Sequence, residues 1–474
     1  MHSRTSARCT RLAALLAVGS MAVLLPATPV YAQQDAAGYP EPPPVQKSLA
    51  PAPEPPSPDA KYQQETACVE RGALSAGTVL PEAPWGQKHL RIEEAHQFAT
   101  GEGEKVAVID TGVNQHNFFS KPVEPGGDYV ENGKDGLTDC DGHGTEVAGI
   151  IAGNPPRGQN IAFRGVAPGA QIMSIRQTSK NFKSGGGPQG EEKTAGSTET
   201  LAKAVMVAAN RGASVINISV DNCRPAGPIS AAEQQLQAAI RTAVDDHNAV
   251  VVAAAGNTSD ACQQNDQPDV NNPTSIVTPP WFADDVLSVA AIQEDGSVAD
   301  FSVRGPWVSV AAPGTNIVSL DPADPTQLAN RQAEGNQEPG PIQGTSFAAP
   351  YVSGVVALVR ERFPQLSARQ VMNRITSTAQ HPAAPGGRDS FIGSGVVNPI
   401  AALTGIVPEE ENIPRAQAQR LPADLPAPNN KDWAPLVVAL SGTGGAVLAL
   451  GITMFVLHAR QRHRRDRKEP RGFA

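Results

Sequence analysis

No C-x-x-C pair occurs in these 474 residues, which argues against a zinc or redox-active dithiol site. There is no internal repeat, so the length, enough for two to three average domains, is divided among unlike segments. Aromatic residues are scarce at 4%, while 44 Gly and 43 Pro imply many turns and some unfolded stretches. Basic charge is short where the chain is longest. Removing a balance of +3 at residues 1–32 and +5 at residues 458–474 from the net −9 leaves −17 on the stretch between. A body this acidic is not built to hold nucleic acid.

What is present begins at the ends. Residues 1–11 are basic, an apolar run of 14 follows, and P-A-T-P-V-Y-A closes on small residues. This is the layout of a secretory signal peptide, with Ala32 the last residue removed. Residues 433–457 carry no charge, and about 20 apolar residues suffice to cross a bilayer. The Lys/Arg cluster of residues 458–474 then belongs on the cytoplasmic side. The expectation is a cell-membrane protein with one pass, its body outside the cytoplasm. Cys68, Cys140, Cys223 and Cys262 remain in that exported body, which suggests two disulfides, with three pairings possible.

Between the ends, residues 33–60 are Pro-rich and are expected to be extended or disordered. Residues 406–432 read as a second, polar linker. The intervening chain alternates short apolar runs (105–110, 170–176, 213–219, 249–255, 286–292) with helical patterns (200–211, 229–244). Such alternation predicts an α/β domain of about 320 residues around one parallel sheet. Three polar stretches, 183–193, 258–280 and 321–341, read as long surface loops.

Candidate chemistry sits at the ends of these elements. Asp110 closes the apolar run K-V-A-V-I-D, at the carboxyl end of a strand where parallel sheets collect functional groups. His143 stands between Gly142 and Gly144 at a helix entrance, in D-C-D-G-H-G-T-E-V-A-G. Asp139, Cys140, Asp141 and His143 could be read as metal ligands, but their spacing fits no zinc pattern and a disulfide competes for Cys140. Ser346, in G-T-S-F-A-A-P, opens an apolar helix. It is either a cap or a nucleophile backed by the helix dipole. Asn257 ends A-A-A-G-N with a side-chain amide that can donate to an oxyanion, although Gly-Asn is also an ordinary turn pair and Asn257-Thr258-Ser259 a chance sequon. Taken together, Asp, His and Ser supply a carboxylate, a base and a nucleophile.

These four blocks, in the order Asp, His, Asn, Ser, resemble those of the subtilisin-like serine proteases over about residues 86–405. The resemblance implies a seven-stranded parallel sheet flanked by helices, plus the C-terminal transmembrane helix. It implies a serine endopeptidase with Asp110, His143 and Ser346 as triad and Asn257 in the oxyanion hole; no cofactor or metal ligand is assigned, and no motif places the calcium sites of other subtilases on this sequence. Ser219, Val220, Asp221, Ala254 and Gly256 would then bind substrate. The layout as a whole (signal peptide 1–32, Pro-rich extension 33–85, catalytic domain 86–405, linker 406–432, membrane helix 433–457, basic tail 458–474) resembles the mycosins, membrane-anchored subtilases of actinobacterial type VII secretion systems. That likeness implies the pairs Cys68–Cys140 and Cys223–Cys262 and an extension wrapped on the domain. It also implies a protein or peptide substrate, and a type VII membrane complex as partner that the chain helps to stabilise. Alternatives are a mainly structural subunit of that complex, or an envelope protease without such a partner. Two departures stand out. Where subtilisins commonly read S-x-G-G, this chain reads I-S-V-D-N-C (218–223), which points to altered substrate pairing. The extension is also short for a folded prodomain.

Overall fold

A computed structural model describes residues 39–69, 80–156, 160–185, 192–266, 269–332, 339–411 and 433–466. The expected signal peptide, most of the expected linker and the last eight residues lie outside them. Seven strands form the central sheet: β1 Lys105–Asp110, β2 Glu124–Asp128, β3 Gln171–Arg176, β4 Val215–Ile218, β5 Val250–Ala254, β6 Val286–Ile292 and β7 Val310–Pro313. All pairings are parallel, in the order β7-β6-β5-β4-β1-β3-β2. The Val-, Ile- and Ala-rich runs give strands buried on both faces, as helices cover both sides of such a sheet. The edge strand β2 reads E-P-G-G-D and carries a bulge. Pro and Gly are tolerated at an edge, but they hide the strand from a sequence reading.

Helix α1 spans His143–Ala152, α2 Thr198–Asn210, α3 Ala231–Asp245 and α4 Thr345–Arg362. Capping boxes at Ser197/Thr200 and Ser230/Glu233 start α2 and α3. Helix α4 is buried from Thr345 to Arg360 and packs on α1 and on strands β4 to β7, so it is the core helix of the domain. Each of its fully buried Val or Leu side chains contributes about 1.5–3 kcal/mol by leaving water.

Over residues 39–60 the Pro-rich extension has no strand or α-helix, only a 3-10 turn at Lys47–Leu49, and it is pinned along its length. Trp281 Nε1 donates to the Tyr39 carbonyl, Gln237 Nε2 to that of Pro43, and Ser197 Oγ to Asp59. Tyr62–Gln64 then pairs antiparallel with Ser179–Ser184, and a disulfide joins Cys68 to Cys140. A second disulfide joins Cys223 to Cys262. The three stretches read as loops contain short strands. Ser179–Ser184 pairs with Lys193–Ala195, Ser275–Thr278 with Asn222–Pro225, and Arg331–Gln332 with Gly340–Pro341. Most of these strands are polar or only two residues long, and Ser275–Thr278 has just two apolar residues, so they lack a sustained apolar signature.

As a separate unit, helix α5 runs Ala434–Asp466 and is long and apolar enough to cross a membrane. It continues past residue 457 into the basic segment, because Arg and Gln there are good helix formers.

Candidate active site

Strands β1, β4 and β5 deliver their carboxyl ends to one crevice, and the amino end of α4 faces it. Asp110 is the last residue of β1 and is fully buried. Its Oδ1 accepts the main-chain N–H of Thr111 at 2.7 Å and lies 2.6 Å from His143 Nδ1. With a buried carboxylate on Nδ1, the imidazole carries its proton there and leaves Nε2 as the free base. The His143 side chain keeps 19% exposure, so one ring edge reaches the crevice. Burial would depress its pKa. The Asp110 charge and hydrogen bond, reinforced by the Asp139 charge, outweigh that and leave it raised.

The loop before α1 is organised by Asp139. One of its oxygens accepts from Gly142 N and Thr111 Oγ1, each at 2.8 Å. The other accepts from Thr145 N at 2.8 Å and Thr145 Oγ1 at 2.6 Å. Thr111 Oγ1 in turn accepts Gly144 N at 2.9 Å, so the Asp110 turn and the His143 turn are locked together. Burial nonetheless pushes the Asp139 carboxyl up to about 6 against these bonds. Asp141 is occupied by Ser179 Oγ and Lys180 N. Gly142 has φ +84°, and a Cβ on Gly144 would lie 2.0 Å from the Gly112 carbonyl, which explains the two glycines around the histidine. Among the described residues, no group of three His, Cys, Asp or Glu side chains is placed to hold a metal.

Ser346 is the second residue of α4 and is 9% exposed. The ring of its neighbour Phe347 packs on His143 with centroids 5.0 Å apart. No hydrogen bond from Ser346 Oγ to His143 is present among the described residues; serine–histidine bonds of this kind commonly tighten only around substrate. Asn257 sits just beyond β5. Its Oδ1 accepts from Thr345 N at 3.0 Å and Thr345 Oγ1 at 3.1 Å, and its Nδ2 faces the space beside Gly344. A crevice with a base, a hydroxyl, an amide donor and a helix amino terminus has the parts for acyl transfer.

The five expected substrate contacts divide. Val220 is partly exposed and Asp221 exposed, whereas Ser219, Ala254 and Gly256 are buried. The Ser219 hydroxyl donates to the Ser346 carbonyl at 2.9 Å. Directly after Asp221 the chain enters the pairing with Ser275–Thr278, tied by Cys223–Cys262. Sequence reasoning passed over Asn217, Ser353, Thr111 and Thr345. Their signal was polarity out of place, as in the Asn of the apolar strand V-I-N-I.

The subtilase family model matches residues 101–395. Mycosin-1 of Mycobacterium tuberculosis is 43% identical over 427 residues, covering 87% of this chain and 92% of that relative. Mycosin-3 of the same organism is 41% identical over 443 residues, covering 89% and 93%. The crystal structure of MycP1 from the ESX-1 type VII secretion system superposes with a TM-score of 0.71 at 42% identity, covering 78% of this chain and 98% of that one. A chain in the structure of an intact ESX-5 inner membrane complex gives 0.72 at 40% identity, covering 88% and 100%.

Proposed function

This chain is a serine endopeptidase belonging to the subtilase family, within the mycosins, and we propose that Asp110, His143 and Ser346 are its triad. In this reading Ser346 Oγ attacks the scissile carbonyl while His143 Nε2 takes its proton. Asp110 holds the Nδ1 proton in place and stabilises the imidazolium. Asn257 Nδ2 and the amino end of α4 receive the negative charge that develops on the carbonyl oxygen. The C–N bond then breaks, the amine leaves with the proton from His143, and water releases the acyl group from Ser346. The observation that carries the proposal is the 2.6 Å Asp110–His143 contact at the crevice where Ser346 opens α4.

The partner proposed is the membrane complex of a type VII secretion system. A chain of an ESX-5 inner membrane complex is similar to 88% of this one at 40% identity, and α5 provides the length to anchor this chain in a bilayer. With the signal peptide removed after Ala32, residues 33–85 would wrap a catalytic domain of residues 86–405 held outside the cytoplasm. The basic tail would lie inside. The substrate class is a secreted protein.

The test replaces the gene with Ser346→Ala in the cell that makes this protein. The expected result is a secreted protein that appears uncleaved while export continues. Cleavage identical to wild type would overturn the processing role. The second reading, a mainly structural subunit, is favoured by the same ESX-5 assembly. It predicts that deleting the chain stops export and that Ser346→Ala changes nothing.

A further inference from the structure

We propose that Ser219 is a positioning residue for the Ser346 nucleophile, holding a helix carbonyl that Pro350 leaves without a partner. The inference rests on the triad reading above and deepens it. In an α-helix the carbonyl of residue i is taken by the N–H of residue i+4. For Ser346 that residue is Pro350, which lies inside α4 and has no N–H. The Ser346 carbonyl is nevertheless satisfied, because Ser219 Oγ donates to it at 2.9 Å from the end of β4.

The direction of this bond is fixed by its neighbours. Asn217 Nδ2 donates to Ser219 Oγ at 2.9 Å, and Ser353 Oγ donates to Asn217 Oδ1 at 2.8 Å. A carbonyl can only accept, so the single Ser219 proton must go to Ser346. The Asn217 amide must then present its NH2 to Ser219. The relay leaves α4 at Ser353, crosses to β4 and returns to α4 at Ser346. Asn217 and Ser353 are fully buried, Ser219 is 4% exposed and Ser346 9%, so water does not compete. The strand that carries the relay pairs directly with β1, which ends in Asp110. The main chain of the nucleophile is thereby referenced to the strand beside its triad partner. Displacing a reacting group by 1 Å can cost about 10²-fold in rate.

The test uses the full chain in detergent and a fluorophosphonate probe, which bonds to Ser346 Oγ with loss of fluoride while the hydroxyl proton passes to His143. Ser219→Ala should lower kinact by about 10- to 100-fold and leave KI unchanged. Ser219→Thr, which keeps the hydroxyl, should hold the wild-type kinact. In a Pro350→Ala background the missing N–H is restored, so Ser219→Ala should there cost little, a non-additivity that a general packing defect would not produce. Should Ser219→Ala fail to fold, recovery of folding in the S219A/P350A double variant supports the relay, and continued failure overturns it. A wild-type kinact in Ser219→Ala, a change in KI alone, or an equal penalty in the Pro350→Ala background overturns it too. Failure of the wild-type chain to react at Ser346 is a separate result and would remove the triad reading itself.

Discussion

Thr345 donates to Asn257 Oδ1 twice, from its main-chain N–H at 3.0 Å and from its hydroxyl at 3.1 Å. Two donors on one side of the amide settle which end is oxygen, so the NH2 group is turned to the crevice before any substrate arrives. Donors set in advance where charge develops are the strongest single contribution to acyl transfer. Asn257→Ala should therefore lower kcat by about 10²–10³-fold with little change in KM. Asn257→Asp keeps both bonds from Thr345 but faces the oxyanion with an acceptor, and should be slower still. Steady-state kinetics on a peptide substrate decides between these outcomes.

The raised pKa of His143 sets a pH dependence. In the proposed triad Nε2 is a base only when the ring is neutral, so activity should fall as pH drops through a midpoint above the ordinary 6.5 of histidine. Asp139, itself pushed up to about 6 by burial, contributes to holding the proton on His143 in its charged form. Asp139→Asn should move the acid limb to lower pH. A kcat/KM profile of the two proteins reads this directly, and an unmoved limb would mean that Asp139 does not act on the imidazole.

Glu146 lies in the first turn of α1, three residues after His143, 2% exposed, with Oε2 unbonded among the described residues. Burial, then the charges of Asp139, Asp321 and Asp110, push its carboxyl well above the ordinary 4.5. The folded chain thus keeps a proton that the unfolded chain gives up above pH 4.5, and this group makes stability fall as pH rises. Glu146→Gln, neutral at every pH, should match wild type in Tm near pH 4 and exceed it at pH 8. Thermal unfolding at both pH values checks the sign.

Cys140 lies three residues before His143 and is bonded to Cys68 of the extension, 72 residues away in sequence. Closing so long a loop restricts the unfolded chain, and replacing Cys68 and Cys140 by Ser should cost about 2–5 kcal/mol. Denaturant unfolding of the double variant measures that loss. Activity should fall as well, since the Asp139–Thr145 turn would lose its covalent tether.

Much of this molecule was legible in the chain. The apolar runs 105–110 and 249–255 became buried strands of the sheet, since a strand covered on both faces needs continuous Val, Ile and Ala. The edge strand E-P-G-G-D and the polar strand S-K-N-F-K-S were not legible, because pairing and position hold them, not composition. Ser219 shows the limit at the site. The family resemblance placed it among the substrate contacts and said nothing of its hydroxyl, which is bound to the Ser346 carbonyl. That partner is set by a proline on another element, a relation visible only once β4 and α4 are placed side by side.

In the proposed triad Ser346 is a nucleophile served by His143. Treating the full chain with a fluorophosphonate and mapping the adduct by mass spectrometry tests this role most directly. One adduct is expected, on Ser346, absent in Ser346→Ala and slowed in His143→Ala. For turnover, the loss expected on removing either residue of such a triad is on the order of 10⁶-fold in kcat. A folded wild-type chain that takes up no probe, or takes it up at another residue, would rule out Ser346 as the nucleophile.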